Sequence, residues 1–333
     1  MLGWMSKAPA QCDDGINSGQ DSPPVPWRAL SIGWTILIVA ALVYANMKGI
    51  SFALALPVAL AFVAELPFYV MAGAPPAWLR RSEVLFGSCL LPYLVYTVPT
   101  GLFAFQSFGM LVVLAAVLSF WYKVLPRQTW LDVLYVLLLA TILLSKIFDQ
   151  IYPSAIPKTP LNILGHLMLI RTAAVAVIGM RGGTGAQYVF IPKWDEWISG
   201  VKWFALMLPP VLTALWATGL WLPRDHPKYW TILPQFLGIL WVVALSEEFF
   251  FRGMLQHWLE SGMRNRIAGL LVTSIMFGSA HFWFHGAFPN WRFAIVATVF
   301  GLFCGLAWRE KRSVPTSMVT HALGATLYRV FFQ

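Results

Sequence analysis

Apolar residues in this chain run in long unbroken stretches rather than alternating with polar ones. Eleven such stretches can be counted, at 29–47, 50–72, 84–100, 102–122, 129–145, 162–180, 203–222, 230–258, 267–285, 293–308 and 314–331. A helix rises about 1.5 Å per residue, so roughly 20 residues cross a ~30 Å hydrocarbon layer. The pattern therefore predicts an all-α, polytopic transmembrane helix bundle of about 10–11 spans. Pro57, Pro92, Pro209, Pro210 and Pro234 fall inside stretches; membrane helices tolerate this because neighbouring helices satisfy the freed carbonyls. Residues 1–27 read as a polar N-terminal tail, lacking the charged start and apolar run of a signal peptide. Residues 182–200 read as an interfacial loop with Trp194 and Trp197 at the membrane surface. The chain thus divides into the tail, N-terminal membrane helices over 28–181, the loop, and a second membrane domain over 201–333.

Composition narrows the class. Of 333 residues 59% are hydrophobic and 11% charged, and the mean hydropathy is +0.68. A soluble domain carries about a quarter charged residues, so a soluble globular enzyme and a disordered chain are both excluded. The net charge of +9 does not imply nucleic acid, because no basic cluster is interleaved with aromatics. With the N-terminus in the cytoplasm, roughly twice as many Lys and Arg fall in cytoplasmic segments as on the other side, the bias that sets membrane topology. N-in, C-out orientation in a bacterial inner (cell) membrane is the expectation. The three cysteines, Cys12, Cys89 and Cys304, lie far apart and have no CxxC spacing, which argues against a disulfide framework or zinc ribbon.

Ionisable side chains inside spans cost about 2.5–3.5 kcal/mol each on insertion scales and mark function or pairing. They are Glu65, Asp132, His166, Arg171, Glu247, Glu248, Arg252, His281 and His321, concentrated in the last four spans. Glu65 is expected near the cytoplasmic surface, and Arg171 is expected to meet another helix. Glu247 and Glu248 are adjacent, so on a helix they point about 100° apart. Glu248 and Arg252 have the i,i+4 order that favours an ion pair. That pairing leaves Glu247 to face something else among three phenylalanines, a setting suited to a general base or acid. Counted from the loops near residues 260 and 312, Glu247, His281 and His321 reach comparable depths on separate helices. Three polar groups can therefore converge inside the bundle.

These residues resemble a known family. EEFFFRG (247–253) fits the EExxxR signature of the CAAX-type glutamic intramembrane proteases and bacteriocin-processing enzymes. Phe277–His281 fits that family's FxxxH, and His321 stands where its third motif begins. The resemblance covers about residues 200–333. It implies an intramembrane endopeptidase with Glu247, His281 and His321 as catalytic residues and Glu248, Arg252 and Phe277 in support. Glu247 and His281 would hold a water, Glu247 would take its proton, and His321 would stabilise the tetrahedral oxyanion. One position departs: the family's HxxxN reads HALGA here, with Ala325 where the Asn would stand. Either His321 acts alone, another donor substitutes, or activity is weak or lost.

No cofactor is implied. A zinc alternative would use His281, His285 and His321, the first two at the i,i+4 spacing of HExxH helices but with Phe282 in place of the Glu. The expected partners are the lipid bilayer and a membrane protein or peptide substrate, with no nucleic acid. By the charge bias the pocket opens away from the cytoplasm. A transmembrane or exported polypeptide with a C-terminal hydrophobic sorting segment then fits better than a prenylated cytosolic tail. The competing readings are a catalytically weak scaffold or bacteriocin-immunity-type protein, which Ala325 favours, and a transporter, which the in-span prolines and buried charges favour.

Overall fold

The computed structural model describes residues 27–156, 161–182, 188–189, 191–263, 265–282 and 288–332. Among them there is no strand. The helices are α1 (Trp27–Met47), α2 (Phe52–Met71), α3 (Ser82–Thr100), α4 (Phe105–Val124), α5 (Thr129–Leu144), the short α6 (Ile147–Ile151) and α7 (Asn162–Arg181). They continue with α8 (Trp194–Ala217), α9 (Tyr229–Gly262), α10 (Arg266–Ser279), α11 (Trp291–Lys311) and α12 (Val314–Phe331). Six of these, α2, α4, α7, α8, α9 and α11, have both the length and the hydropathy to cross a membrane; shorter apolar helices lie within α1, α5 and α10. The protein is an all-helical integral membrane protein.

The helices form two groups. In the first, α2 packs against α3 and α7, and α4 packs against α3. Its centre holds Glu65, which is fully buried within the protein. Arg171 of α7 grips both carboxylate oxygens of Glu65, one of them at 3.1 Å, and bonds the Ser88 hydroxyl and carbonyl at 2.9 Å each. Sequence spacing could not show this, because the partners are 106 positions apart. Two charges inside the bundle persist only when mutually satisfied, and here Nε, Nη1 and Nη2 of Arg171 each meet an acceptor.

In the second group α12 is central. Residues 313–322 are buried without interruption, enclosed by α8, α9 and α11. Enclosure by protein explains why α12 carries Thr316, Ser317, Thr320 and His321 where a lipid-facing helix would not. The loop expected over 182–200 is shorter than that: α8 starts at Trp194. The Glu196 carboxylate accepts the Lys193 backbone N–H at 2.6 Å, capping the first turn. The first two turns of α8 then lock onto the α11–α12 corner. Ser313 donates to Glu196, Thr320 donates to the Gly200 carbonyl at 3.0 Å, and Glu310 accepts from Ser199 at 3.0 Å and Trp203 at 2.6 Å.

The groups meet through side chains. Tyr69 of α2 donates to the Trp241 carbonyl of α9 at 2.8 Å. Tyr188 stands edge-on to both Tyr69 and Phe249, with ring centroids 5.8 Å and 5.3 Å away. Helix α9 itself is irregular: Ile239–Ala244 and Phe249–Gln256 wind as π-helix around one α-helical turn, Leu245–Glu248. Such wide turns free backbone groups and recur at functional sites.

Candidate active site

The regular turn between the two π stretches carries both glutamates. Glu248 is fully buried and points into the bundle, where it accepts from Arg252 Nε at 3.0 Å and from Ser317 Oγ. Its other oxygen lies 2.7 Å from His321 Nδ1. A carboxylate held by an arginine only accepts, so Nδ1 carries the proton and Nε2 is the ring atom turned the other way. Nε2 faces Glu247, 3.9 Å from its Oε2. That oxygen is buried and has no hydrogen-bond partner.

His281 comes from a different local structure than expected. The span anticipated to run to 285 ends as a helix at Ser279, and His281 sits in the closing turn, its N–H on the Gly278 carbonyl at 3.0 Å. The last carbonyls of a helix lack partners, and the His281 ring satisfies one of them: Nδ1 lies 2.8 Å from the Phe277 carbonyl. The i,i+4 spacing of FxxxH is what lets the ring fold back. A carbonyl only accepts, so this bond fixes the proton on Nδ1 and leaves Nε2 as the other polar atom of the ring.

Phe277 is the common neighbour. Its ring centroid lies 4.8 Å from that of His281, 5.9 Å from that of His321 and 5.4 Å from the Arg252 guanidinium carbon. Phe300 closes the other side of His321 at 5.0 Å. Glu247, His281 and His321 line one cavity of about 130 Å³ together with Ala325 and Arg329. Glu247, His281 and Arg329 also border a second cavity of about 610 Å³ between the two helix groups, walled by apolar side chains such as Leu139, Leu143, Ile163 and Phe250. The structure thus brings the three sequence-derived groups to one hollow. Arg329 has no ion pair among the described residues, and Ala325 lines the cavity without offering a donor.

Several contributors were not singled out in the sequence, among them Gln256 and Glu260. With Glu248 and Arg252 they recur every four residues and are all buried, forming a polar ladder along α9. Arg252 Nη2 donates to the Gly301 carbonyl at 3.0 Å, Gln256 donates to Gly305 at 3.4 Å and to Glu260 at 2.9 Å, and Arg312 closes the ladder on Glu260 at 2.9 Å. The signal was present as GLFCG over 301–305, a small-xxx-small pattern that allows close helix approach. Ser317, one turn before His321, was legible in the same way.

Of the zinc alternative, His285 lies outside the described residues. Among the described residues, ligand atoms of Glu248, Cys304 and His321 fall within 4.8 Å of one another, all buried. Both Glu248 oxygens there are already engaged by Arg252, Ser317 and His321, and a dication would face the Arg252 guanidinium. The donor set fits a metal poorly.

No curated protein and no solved structure matches the chain. A protein-family model does match, over residues 229–327, which include Glu247, Glu248, Arg252, Phe277, His281 and His321 and leave α1–α8 outside. The model is that of the Rce1-like type II CAAX prenyl endopeptidases, and residues 229–327 of this chain are similar to it.

Proposed function

We propose that this protein is an intramembrane endopeptidase in which Glu247 activates water for attack on a peptide bond. One observation carries the reading: a buried Glu247 oxygen without a hydrogen bond, 3.9 Å from an imidazole nitrogen, in a hollow it shares with His281. A buried acceptor left unsatisfied needs a reason, and a water bound to Glu247 in this hollow supplies one.

Water held between Glu247 and His281 gives its proton to Glu247 as its oxygen attacks the carbonyl carbon. The carbonyl oxygen becomes the oxyanion and takes a hydrogen bond from the His321 ring, which Glu248 holds in place through Nδ1. Glu247 then returns the proton to the leaving nitrogen as the C–N bond breaks. Glu248 is a positioning residue: it holds Nδ1 of His321, and Arg252 and Ser317 hold Glu248. The apolar cavity of about 610 Å³ accepts a hydrophobic stretch of substrate. With the N-terminus in the cytoplasm the hollow opens outward, favouring a transmembrane or exported polypeptide with a C-terminal hydrophobic sorting segment.

The test compares protein termini in membranes of cells carrying the intact chain or Glu247→Gln. New C-termini next to hydrophobic segments, present only with the intact chain, are expected. Identical termini in the two strains overturn the reading and leave the scaffold role that Ala325 favours.

A further inference from the structure

A separate cavity of about 380 Å³ lies far from the glutamates in sequence, where the start of α3, the end of α4 and the end of α7 meet. Four cations border it, Arg80, Arg81, Lys123 and Arg127, against one acid, Glu83. Glu83 is bound to Lys123. The nearby Asp132 is held by Arg181 at 3.0 Å and by the Tyr122 hydroxyl at 3.0 Å. Arg81 and Arg127 have no ion pair among the described residues, so the cavity keeps an excess of positive charge.

Three further features suit an anion. Ser82 is 2% exposed, lines this cavity, and its hydroxyl has no hydrogen-bond partner. It opens α3, a 19-residue helix whose first turn has no side-chain cap. The hydrogen-bond ladder there begins with Leu85 N–H on the Arg81 carbonyl at 2.9 Å, so the N–H groups of Ser82 and Val84 precede it, the usual donors to a phosphate at a helix start, while that of Glu83 is met by its own carboxylate. Arg80 is anchored through Nε on the Pro75 carbonyl at 2.7 Å. It lies so close to α7 that a Cβ at Gly179 would stand 3.1 Å from its Cγ.

The surroundings select the source of the phosphate. Val113, Val117 and Val124 form an exposed stripe on α4 that ends beside Lys123, and Val124 is 73% exposed. Trp78 and Trp130, both exposed, flank that end of the bundle as interfacial tryptophans do. We propose that this cavity is a lipid site: it binds the phosphate of an anionic phospholipid head group, whose acyl chains lie along the valine stripe of α4. Basic pockets between membrane helices on the positive side recognise such head groups.

Full-length protein, stripped of lipid in detergent, is titrated with dioleoyl phosphatidylglycerol, dioleoyl phosphatidylcholine or inorganic phosphate, and binding is read by native mass spectrometry and thermal shift. Phosphatidylglycerol is expected to bind at least tenfold more tightly than either alternative. Arg81→Gln with Arg127→Gln, both exposed positions, lowers that affinity tenfold or more, while Arg224→Gln does not. Ser82→Ala removes an unsatisfied hydroxyl, so lipid-free stability stays level or rises while phosphatidylglycerol affinity falls. Equal binding of the two lipids, or phosphatidylglycerol affinity unchanged in the double variant, overturns the site. Inorganic phosphate matching phosphatidylglycerol overturns its assignment to lipid.

Discussion

Glu247 and Glu248 are chemically identical neighbours with opposite surroundings, and substitution separates them. Glu248 holds Arg252, Ser317 and His321, so Glu248→Gln strands a buried guanidinium. Breaking a buried pair costs about 3–5 kcal/mol, and a lower melting temperature in detergent together with lost cleavage is expected. Glu247 Oε2 makes no hydrogen bond, so Glu247→Gln should abolish cleavage while leaving the melting temperature near that of the intact protein. Ala325 gives a gain-of-function test at the same scale. It lines the catalytic hollow one turn beyond His321, and one oxyanion donor is worth about 10²–10³ in rate. Ala325→Asn is expected to raise kcat on a cleaved peptide by about tenfold or more; an unchanged kcat means the oxyanion does not lie near that position.

Between elements, the packing of α11 against α9 and α10 uses two glycines. A Cβ on Gly301 would stand 3.0 Å from Phe277 Cδ1 and 3.3 Å from Arg252 Nη2, and one on Gly305 would overlap Leu270 Cδ1 and stand 2.8 Å from Gln256 Oε1. Overpacking of this kind costs about 1–3 kcal/mol. Gly305→Ala should lower the melting temperature, and Gly301→Ala should also lower kcat by displacing Arg252 from Glu248. This ladder shows how much was legible in the chain. Residues that pair within one helix, such as Glu248 with Arg252, announce themselves by spacing. The meeting of Glu247 with His321 followed from matched depth on separate helices. The Glu65–Arg171 pair did not, because nothing in either local sequence names a partner on another helix. The start of α8 at Trp194 was hidden for a related reason: its first two turns are polar where they seat on the α11–α12 corner, so hydropathy placed the helix start too late. The turn position of His281 depended on a ring replacing a backbone donor, which an apolar run does not reveal.

At the scale of the molecule, the first group of helices supplies a wall of the larger cavity through Leu139, Ala140 and Leu143 of α5 and His166, Ile163 and Ala173 of α7. On the proposed reading, this region, which lies outside the matched residues, would admit substrate. Ala140→Trp narrows that space without touching Glu247, His281 or His321, so KM for a hydrophobic peptide is expected to rise severalfold with kcat little changed. An equal fall in kcat alone would place the substrate elsewhere.

The two wide-wound stretches of α9 have a consequence for the length of the chain as well as its chemistry. A π-turn holds one residue more than an α-turn, so deleting one amino acid from either stretch lets it relax to ordinary winding with the helix on its two sides still in phase. The α-helical turn between them, Leu245–Glu248, has no such slack, and a residue lost there turns everything on one side of the cut by about 100° relative to the other. A scan of single-codon deletions through 239–256 should therefore be tolerated best within Ile239–Ala244 and Phe249–Gln256, Arg252 itself excepted, and worst within Leu245–Glu248.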